Sequence, residues 1–216
     1  MFMDSKKIRI SCCGDSITFG WCATDMKYSY PSVLQMLLCD DFIVGNYGKS
    51  GATVIDDYEF VPDRYSPYVK SAEYNDALCS KPDVVILMLG MNDANPTHHF
   101  NSENGGSMSE SYLEYYRQKL ENMIEKFKSL ETSPRVYLAT TAMKRVAGEW
   151  YSQKYVDDFT NNLVKIREIQ ASIAREKKLI LIDTLSQMQE DSFYSDGCHL
   201  TDKGYHNLAL VIKESL

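Results

Sequence analysis

No stretch of this sequence is long and apolar enough to cross a bilayer, which takes about 20 consecutive apolar residues. Positive charge is also in short supply. Twenty-three Lys and Arg stand against 30 Asp and Glu, a formal net charge of −7. An acidic surface repels phosphate backbones and anionic lipid, so nucleic acid and membrane are not expected as partners. There is no G-x-G-x-x-G and no P-loop, the phosphate cradles of nucleotide-binding domains. The six cysteines, Cys12, Cys13, Cys22, Cys39, Cys79 and Cys198, include no C-x-x-C pair. That pattern fits neither a disulfide framework nor a zinc site. They are expected to be buried, reduced thiols, which favours a reducing, cytoplasmic compartment. Met1–Lys7 is short and polar, so no signal peptide is expected. Repeats, low-complexity tracts and linkers are missing as well, and residues 1–216 are expected to form a single domain.

What the chain does contain is alternation. Short apolar runs are expected as strands at Ile8–Cys13, Phe42–Tyr47, Val84–Leu89, Val136–Thr140 and Leu179–Asp183. Helical patterns separate them. Tyr30–Cys39 carries Pro31 in its first turn, where a missing N–H does little harm. Tyr68–Cys79 follows, and Ser109–Leu130 has Leu113, Tyr116, Leu120, Ile124 and Phe127 on one stripe. A second long helix carries Tyr155, Phe159, Leu163, Ile166 and Ile173, and Thr201 is expected to cap the last. Strand–helix alternation implies right-handed crossovers and an α/β fold with a five-stranded parallel sheet, order 2-1-3-4-5. One long polar segment, Asn95–Glu110, interrupts the pattern and is expected to border a functional site.

Four short segments follow the strands. Gly14-Asp15-Ser16 follows the first, Gly48-Lys49-Ser50-Gly51 the second and Gly90-Met91-Asn92-Asp93 the third, while Asp196-Gly197-Cys198-His199 lies beyond the fifth. All four therefore fall at the C-terminal edge of the sheet, where open α/β folds bind ligands at the point of strand-order reversal. Their residue types suit acyl transfer. A serine hydroxyl needs a base to take its proton, and His199 can supply one to Ser16. Asp196 can hold the other ring N–H and fix the tautomer. The backbone N–H groups of Ser16 and Gly51 and the side-chain amide of Asn92 are candidate oxyanion donors. Trp21, Met91 and Ala94 are candidate walls of the acyl site. Asp15 and Asp93 are expected to hold turns. No metal or other cofactor is required by this set, and the adjacent His98 and His99 do not converge on one ion.

On these four blocks the sequence resembles the SGNH hydrolases, also called GDSL esterases and lipases. Gly14-Asp15-Ser16-Ile17-Thr18, Asn46-Tyr47-Gly48-Lys49-Ser50-Gly51, Gly90-Met91-Asn92-Asp93 and Asp196-Gly197-Cys198-His199-Leu200-Thr201 occur in the family's order. The resemblance implies a three-layer flavodoxin-like fold, metal-free hydrolysis of carboxylic esters, and the roles above for Ser16, Gly51, Asn92, Asp196 and His199. It further implies a small-molecule ester as partner, with carbohydrate O-acetylesterase chemistry as the leading expectation. Lysophospholipase or thioesterase activity is the enzymatic alternative, and a non-catalytic domain on the same fold is a third. After the fourth strand many relatives carry prolines, whereas this chain reads Thr140-Thr141-Ala142-Met143-Lys144-Arg145, so substrate contacts are not carried over there.

Overall fold

The computed structural model describes residues 7–56, 65–98, 106–141 and 151–216. Its central sheet contains β1 (Ile8–Gly14), β2 (Phe42–Gly48), β5 (Val84–Met88), β6 (Arg135–Ala139) and β7 (Ile180–Ile182), all parallel, in the order β2-β1-β5-β6-β7. This is the expected 2-1-3-4-5 arrangement. A two-residue parallel pair, β3 (Ala52–Thr53) with β4 (Ser66–Pro67), was not expected. Two residues carry no readable period, and their pairing is set by the turn that follows Gly51.

Helices cover both faces. After the short α1 (Ser16–Phe19), α2 (Tyr30–Leu38) packs against α7 (Asp202–Ser215) on one face. On the other lie α3 (Ala72–Cys79), α4 (Glu110–Lys128) and α5 (Gln153–Lys177), with Tyr74 of α3 edge-on to Phe127 of α4 at 5.6 Å between ring centroids. The short α6 (Thr184–Gln187) follows β7. The α4 stripe buries Tyr112, Tyr116, Leu120, Met123, Ile124 and Phe127. Truncating a fully buried Phe such as Phe127 to Ala costs about 3–5 kcal/mol, so this one face is a large share of the fold's stability.

Helix ends follow the capping rules. Ser109, Ser152 and Thr201 each accept the backbone N–H three residues on, as N-caps do. A helix over the whole of Tyr68–Cys79 does not form. Tyr68–Lys70 makes a single 3₁₀ turn, Ser71 takes extended backbone, and its hydroxyl accepts the Tyr74 N–H to start α3 afresh. The expectation of six buried thiols holds for Cys12, Cys13 and Cys198, while Cys22, Cys39 and Cys79 are exposed; none of the six is in a disulfide. Burial pushes the Cys13 thiol up to about 12, which leaves it un-ionised and inert.

The long segment after β5 is better anchored than its polarity implies. Asn162 of α5, fully buried, donates to the carbonyls of Ala94 (3.0 Å) and Gly106 (2.8 Å) and accepts the Met108 N–H (3.0 Å). Both described ends of Asn95–Glu110 are thus clipped to one helix. Residues 99–105, its tip, lie outside the described residues, as do Ala142–Arg145 of the proline-poor segment.

Candidate active site

The sheet register brings three of the four segments together, and the fourth reaches them through the Ser16–His199 hydrogen bond. Gly14 pairs with Gly48 on one side and Met88 on the other, so β1, β2 and β5 end flush. Ser16, Gly51 and Asn92 leave these three neighbouring strands within four residues of their ends. Gly48 has to be glycine here: a Cβ would stand 2.0 Å from the Phe19 nitrogen, so α1 sits directly against the end of β2. Gly51 has a different requirement. Its φ of 76° is left-handed, so the turn into β3, as well as clearance for a ligand, favours glycine.

Ser16 is the first residue of α1, so its backbone N–H has no helix carbonyl to bond. Asp15 caps this turn by accepting the Ile17 N–H at 3.0 Å. Ser16 Oγ lies 3.1 Å from His199 Nε2, and His199 Nδ1 lies 2.8 Å from Asp196 Oδ2. The other carboxylate oxygen, Oδ1, accepts the backbone N–H of His199 (2.7 Å) and of Cys198 (3.0 Å). One carboxylate therefore shapes the turn that carries the histidine and also orients its ring. The Ser195 N–H to His199 carbonyl bond at 2.8 Å closes that turn, and Gly197 takes the left-handed φ of 73° inside it. Burial pushes the Asp196 carboxyl up, but the hydrogen bonds from the His199 ring, the His199 N–H and the Cys198 N–H outweigh it, holding it below the usual range. An ionised Asp196 favours the tautomer with Nδ1–H facing it, which leaves the Nε2 lone pair directed at Ser16.

Asn92 Nδ2 donates to the Ala52 carbonyl at 2.8 Å. That bond uses one amide hydrogen and fixes the plane of the group; the second remains for a ligand. Asp93 is fully buried and accepts the N–H groups of Val54 (3.0 and 3.1 Å) and Ile55 (3.1 Å). Asn92 and Asp93 together therefore tie the Gly51–Ile55 turn to the end of β5. The turn-holding roles expected for Asp15 and Asp93 are what the hydrogen bonds display.

The acyl-wall expectation needs correction. Ala94 is 0% exposed and Met91 3%, both packed into the core, where the Ala94 carbonyl is taken by Asn162. Ala94 thus offers a substrate no surface, and Met91 almost none. Trp21, 50% exposed, stands at the rim with its ring centroid 6.1 Å from that of His199. Tyr205 and Asn162 went unforeseen. Tyr205, buried in α7, donates to the Trp21 carbonyl at 2.6 Å and holds that rim. Both act by long-range hydrogen bonds, for which local spacing gives no signal.

A model of the GDSL-like lipase/acylhydrolase family matches residues 12–206. The chain belongs to that family. An acetylxylan esterase from Xylanibacter ruminicola is 31% identical over 230 residues, covering 97% of this chain and 43% of its own length. The chain thus spans less than half of that curated relative. Among solved structures, a carbohydrate acetylesterase from Sinorhizobium meliloti superposes with a TM-score of 0.73 at 18% identity, covering 96% of this chain and 97% of that one. An aryl esterase from M. smegmatis does so with a TM-score of 0.71 at 20% identity, again covering 96% and 97%. At these identities the likeness is one of fold, and the fold is the three-layer α/β/α arrangement described above. No helix among the described residues is long and apolar enough to cross a membrane.

Proposed function

We propose that this chain is a single-domain serine esterase that removes small acyl groups, acetyl foremost, from a carbohydrate. The observation that carries the proposal is the hydrogen-bonded series Ser16–His199–Asp196, with the Asn92 amide fixed at the end of the neighbouring strand. Ser16 Oγ attacks the ester carbonyl while its proton passes to His199 Nε2. The tetrahedral oxyanion is met by the N–H groups of Ser16 and Gly51 and by the free hydrogen of Asn92 Nδ2. His199 then gives the proton to the departing alcohol. Water attacks the acyl-enzyme by the same route, with His199 as base, and releases the acid and Ser16. None of these steps calls on a metal.

The acetyl and carbohydrate parts of the reading are supported by the 31% identity to an acetylxylan esterase. Six cysteines without a disulfide, three of them exposed, are consistent with a reducing, cytoplasmic setting. The test is a fluorophosphonate probe followed by peptide mass spectrometry, with hydrolysis of p-nitrophenyl acetate and of acetylated xylo-oligosaccharides in parallel. Labelling at Ser16 and acetate release from the oligosaccharide are expected. Labelling at another serine, or none with hydrolysis intact, would overturn the assignment. Hydrolysis of the aryl ester without the sugar ester would restrict it to the ester class.

A further inference from the structure

Beside the Asp196–His199 pair stands a third metal-ligating side chain that the mechanism does not use. Ligand atoms of Cys22, Asp196 and His199 all lie within 4.8 Å of one another. Cys22 is held there from both sides. The Trp21 N–H donates to the Ser16 carbonyl at 3.0 Å, and Tyr205 donates to the Trp21 carbonyl at 2.6 Å. On its other side the Thr24 N–H and hydroxyl both donate to the Asp202 carboxylate, at 2.9 and 2.5 Å. Cys22 itself takes the left-handed φ of 68°, uncommon for a residue with a side chain. The loop that carries the thiol is therefore fastened to α1 and to the first turn of α7, the elements that follow Ser16 and His199.

We propose that Cys22, Asp196 and His199 form an inhibitory binding site for a thiophilic divalent cation, zinc in the first instance. Thiolate, imidazole and carboxylate together suit a borderline-soft ion, whereas magnesium and calcium prefer oxygen donors alone. Zinc bonds of ~2.3 Å to sulfur and ~2.0–2.2 Å to nitrogen and oxygen put tetrahedral ligands roughly 3.3–3.7 Å apart. Closing the widest separation, 4.8 Å, to that range takes about 1.1–1.5 Å, and the exposed Cys22 side chain can supply the movement while Asp196 stays beside the His199 ring. The Cys22 thiol releases its proton to solvent as the metal–sulfur bond forms. Water completes the coordination.

Asp196 Oδ2 lies at His199 Nδ1, so Nδ1 is the ring nitrogen the site uses. A metal there takes the place of the Nδ1 hydrogen, with the Asp196 carboxylate kept as a ligand. The ring proton then sits on Nε2, and the lone pair proposed to receive the Ser16 proton is lost. The inhibition, though not the binding, rests on the reading of His199 as the base.

The experiment is zinc titration of the full chain by calorimetry alongside hydrolysis of p-nitrophenyl acetate, for wild type and Cys22→Ser, with magnesium as control. One equivalent of zinc should bind to wild type and hydrolysis should fall with occupancy. Cys22→Ser should keep wild-type hydrolysis without zinc and lose on the order of 100-fold in zinc affinity, since even outer-sphere partners are worth 10–100-fold. Cobalt(II) should give a thiolate charge-transfer band that Cys22→Ser lacks. Equal zinc affinity in the two proteins, or no charge-transfer band, overturns the site. Cys22-dependent binding that leaves hydrolysis untouched supports the site and instead removes His199 from the proposed reaction.

Discussion

Asn92→Ala separates two jobs that one side chain performs. Its Nδ2 donates to the Ala52 carbonyl at 2.8 Å, and its second amide hydrogen is proposed to meet the oxyanion. Losing one such donor typically removes about 2.7–4 kcal/mol of transition-state stabilisation, a factor of about 100 to 1,000 in kcat. Little of this should appear in KM, because the ground-state carbonyl is met less strongly than the oxyanion. The second job is structural. Ala52 is fully buried, so removing a donor from its carbonyl should cost about 1–3 kcal/mol of stability. At about 2–4 °C per kcal/mol for a chain of this size, Tm should fall by roughly 2–12 °C. The assays are steady-state kinetics on p-nitrophenyl acetate and thermal unfolding by circular dichroism on the same preparation. A folded variant with kcat within about threefold of wild type would refute the oxyanion role, given the 100-fold minimum expected. A lowered kcat with unchanged Tm would show instead that the Ala52 bond contributes little.

Ser16→Ala and His199→Ala should each reduce hydrolysis to near background with the fold intact, and the double variant should be hardly worse, since the two act as a unit. Full activity in either single variant, measured on protein shown to be folded, excludes it from the chemistry. EDTA should leave hydrolysis at its untreated rate or raise it, because the proposed reaction has no step on a metal and the proposed zinc site is inhibitory; loss on chelation with recovery on adding metal would reject the mechanism. Burial raises the Asp15 carboxyl from its ordinary 3.8 to about 7, so across that window the folded state binds more protons than the unfolded chain and stability falls as pH rises. Tm of wild type measured across that window should therefore gain more on acidification than Tm of Asp15→Asn, and parallel curves would refute the shift. Across p-nitrophenyl esters of increasing length, kcat/KM should fall from acetyl to octanoyl; a steady rise would move the chain toward lipase or thioesterase chemistry.

Much of the fold could be read from local pattern because the strands are central and apolar. Val84–Leu89 has no polar residue, and in the structure it is β5, flanked by β1 and β6 and buried on both faces. Thr201 announced α7 by cap chemistry alone. Local pattern failed where a single hydroxyl outweighed it: Ser71 stops one turn and starts the next, so the stretch from Tyr68 to Cys79 is interrupted although its residues suit a helix. It also gave no sign of how the described ends of Asn95–Glu110 are held. The deciding residue was Asn162, more than fifty positions away, and a buried amide in mid-helix has no local reason to be there until its three partners are known.

The candidate site divides along the same line. Ser16 and Asn92, proposed to touch reacting atoms, sit in short blocks directly after strands, and parallel register converts that sequence position into spatial adjacency; His199 lies well past β7, beyond α6, and entered the sequence reading through the resemblance of its block. The direction of a side chain could not be read from position. Asp93 is adjacent to Asn92 in sequence yet its carboxylate points away from the ligand side, into the N–H groups of Val54 and Ile55. It positions the turn that bears Gly51, and a fully buried carboxylate is retained there because two backbone donors need an acceptor that an apolar side chain cannot supply. The same reasoning explains the acyl wall. Sequence proximity placed Met91 and Ala94 beside Asn92, but the turn Gly90–Ala94, closed by the Ala94 N–H to the Gly90 carbonyl at 3.0 Å, carries both into the core. Trp21, exposed at the rim and tethered by Tyr205, is the remaining proposed contact for the acyl group. Tyr205→Phe keeps the ring and removes only the hydrogen bond to the Trp21 carbonyl, so it should relax the preference for acetyl over octanoyl esters while leaving the Ser16–His199–Asp196 geometry in place. An unchanged chain-length profile in that variant would mean that the tether does not govern acyl fit.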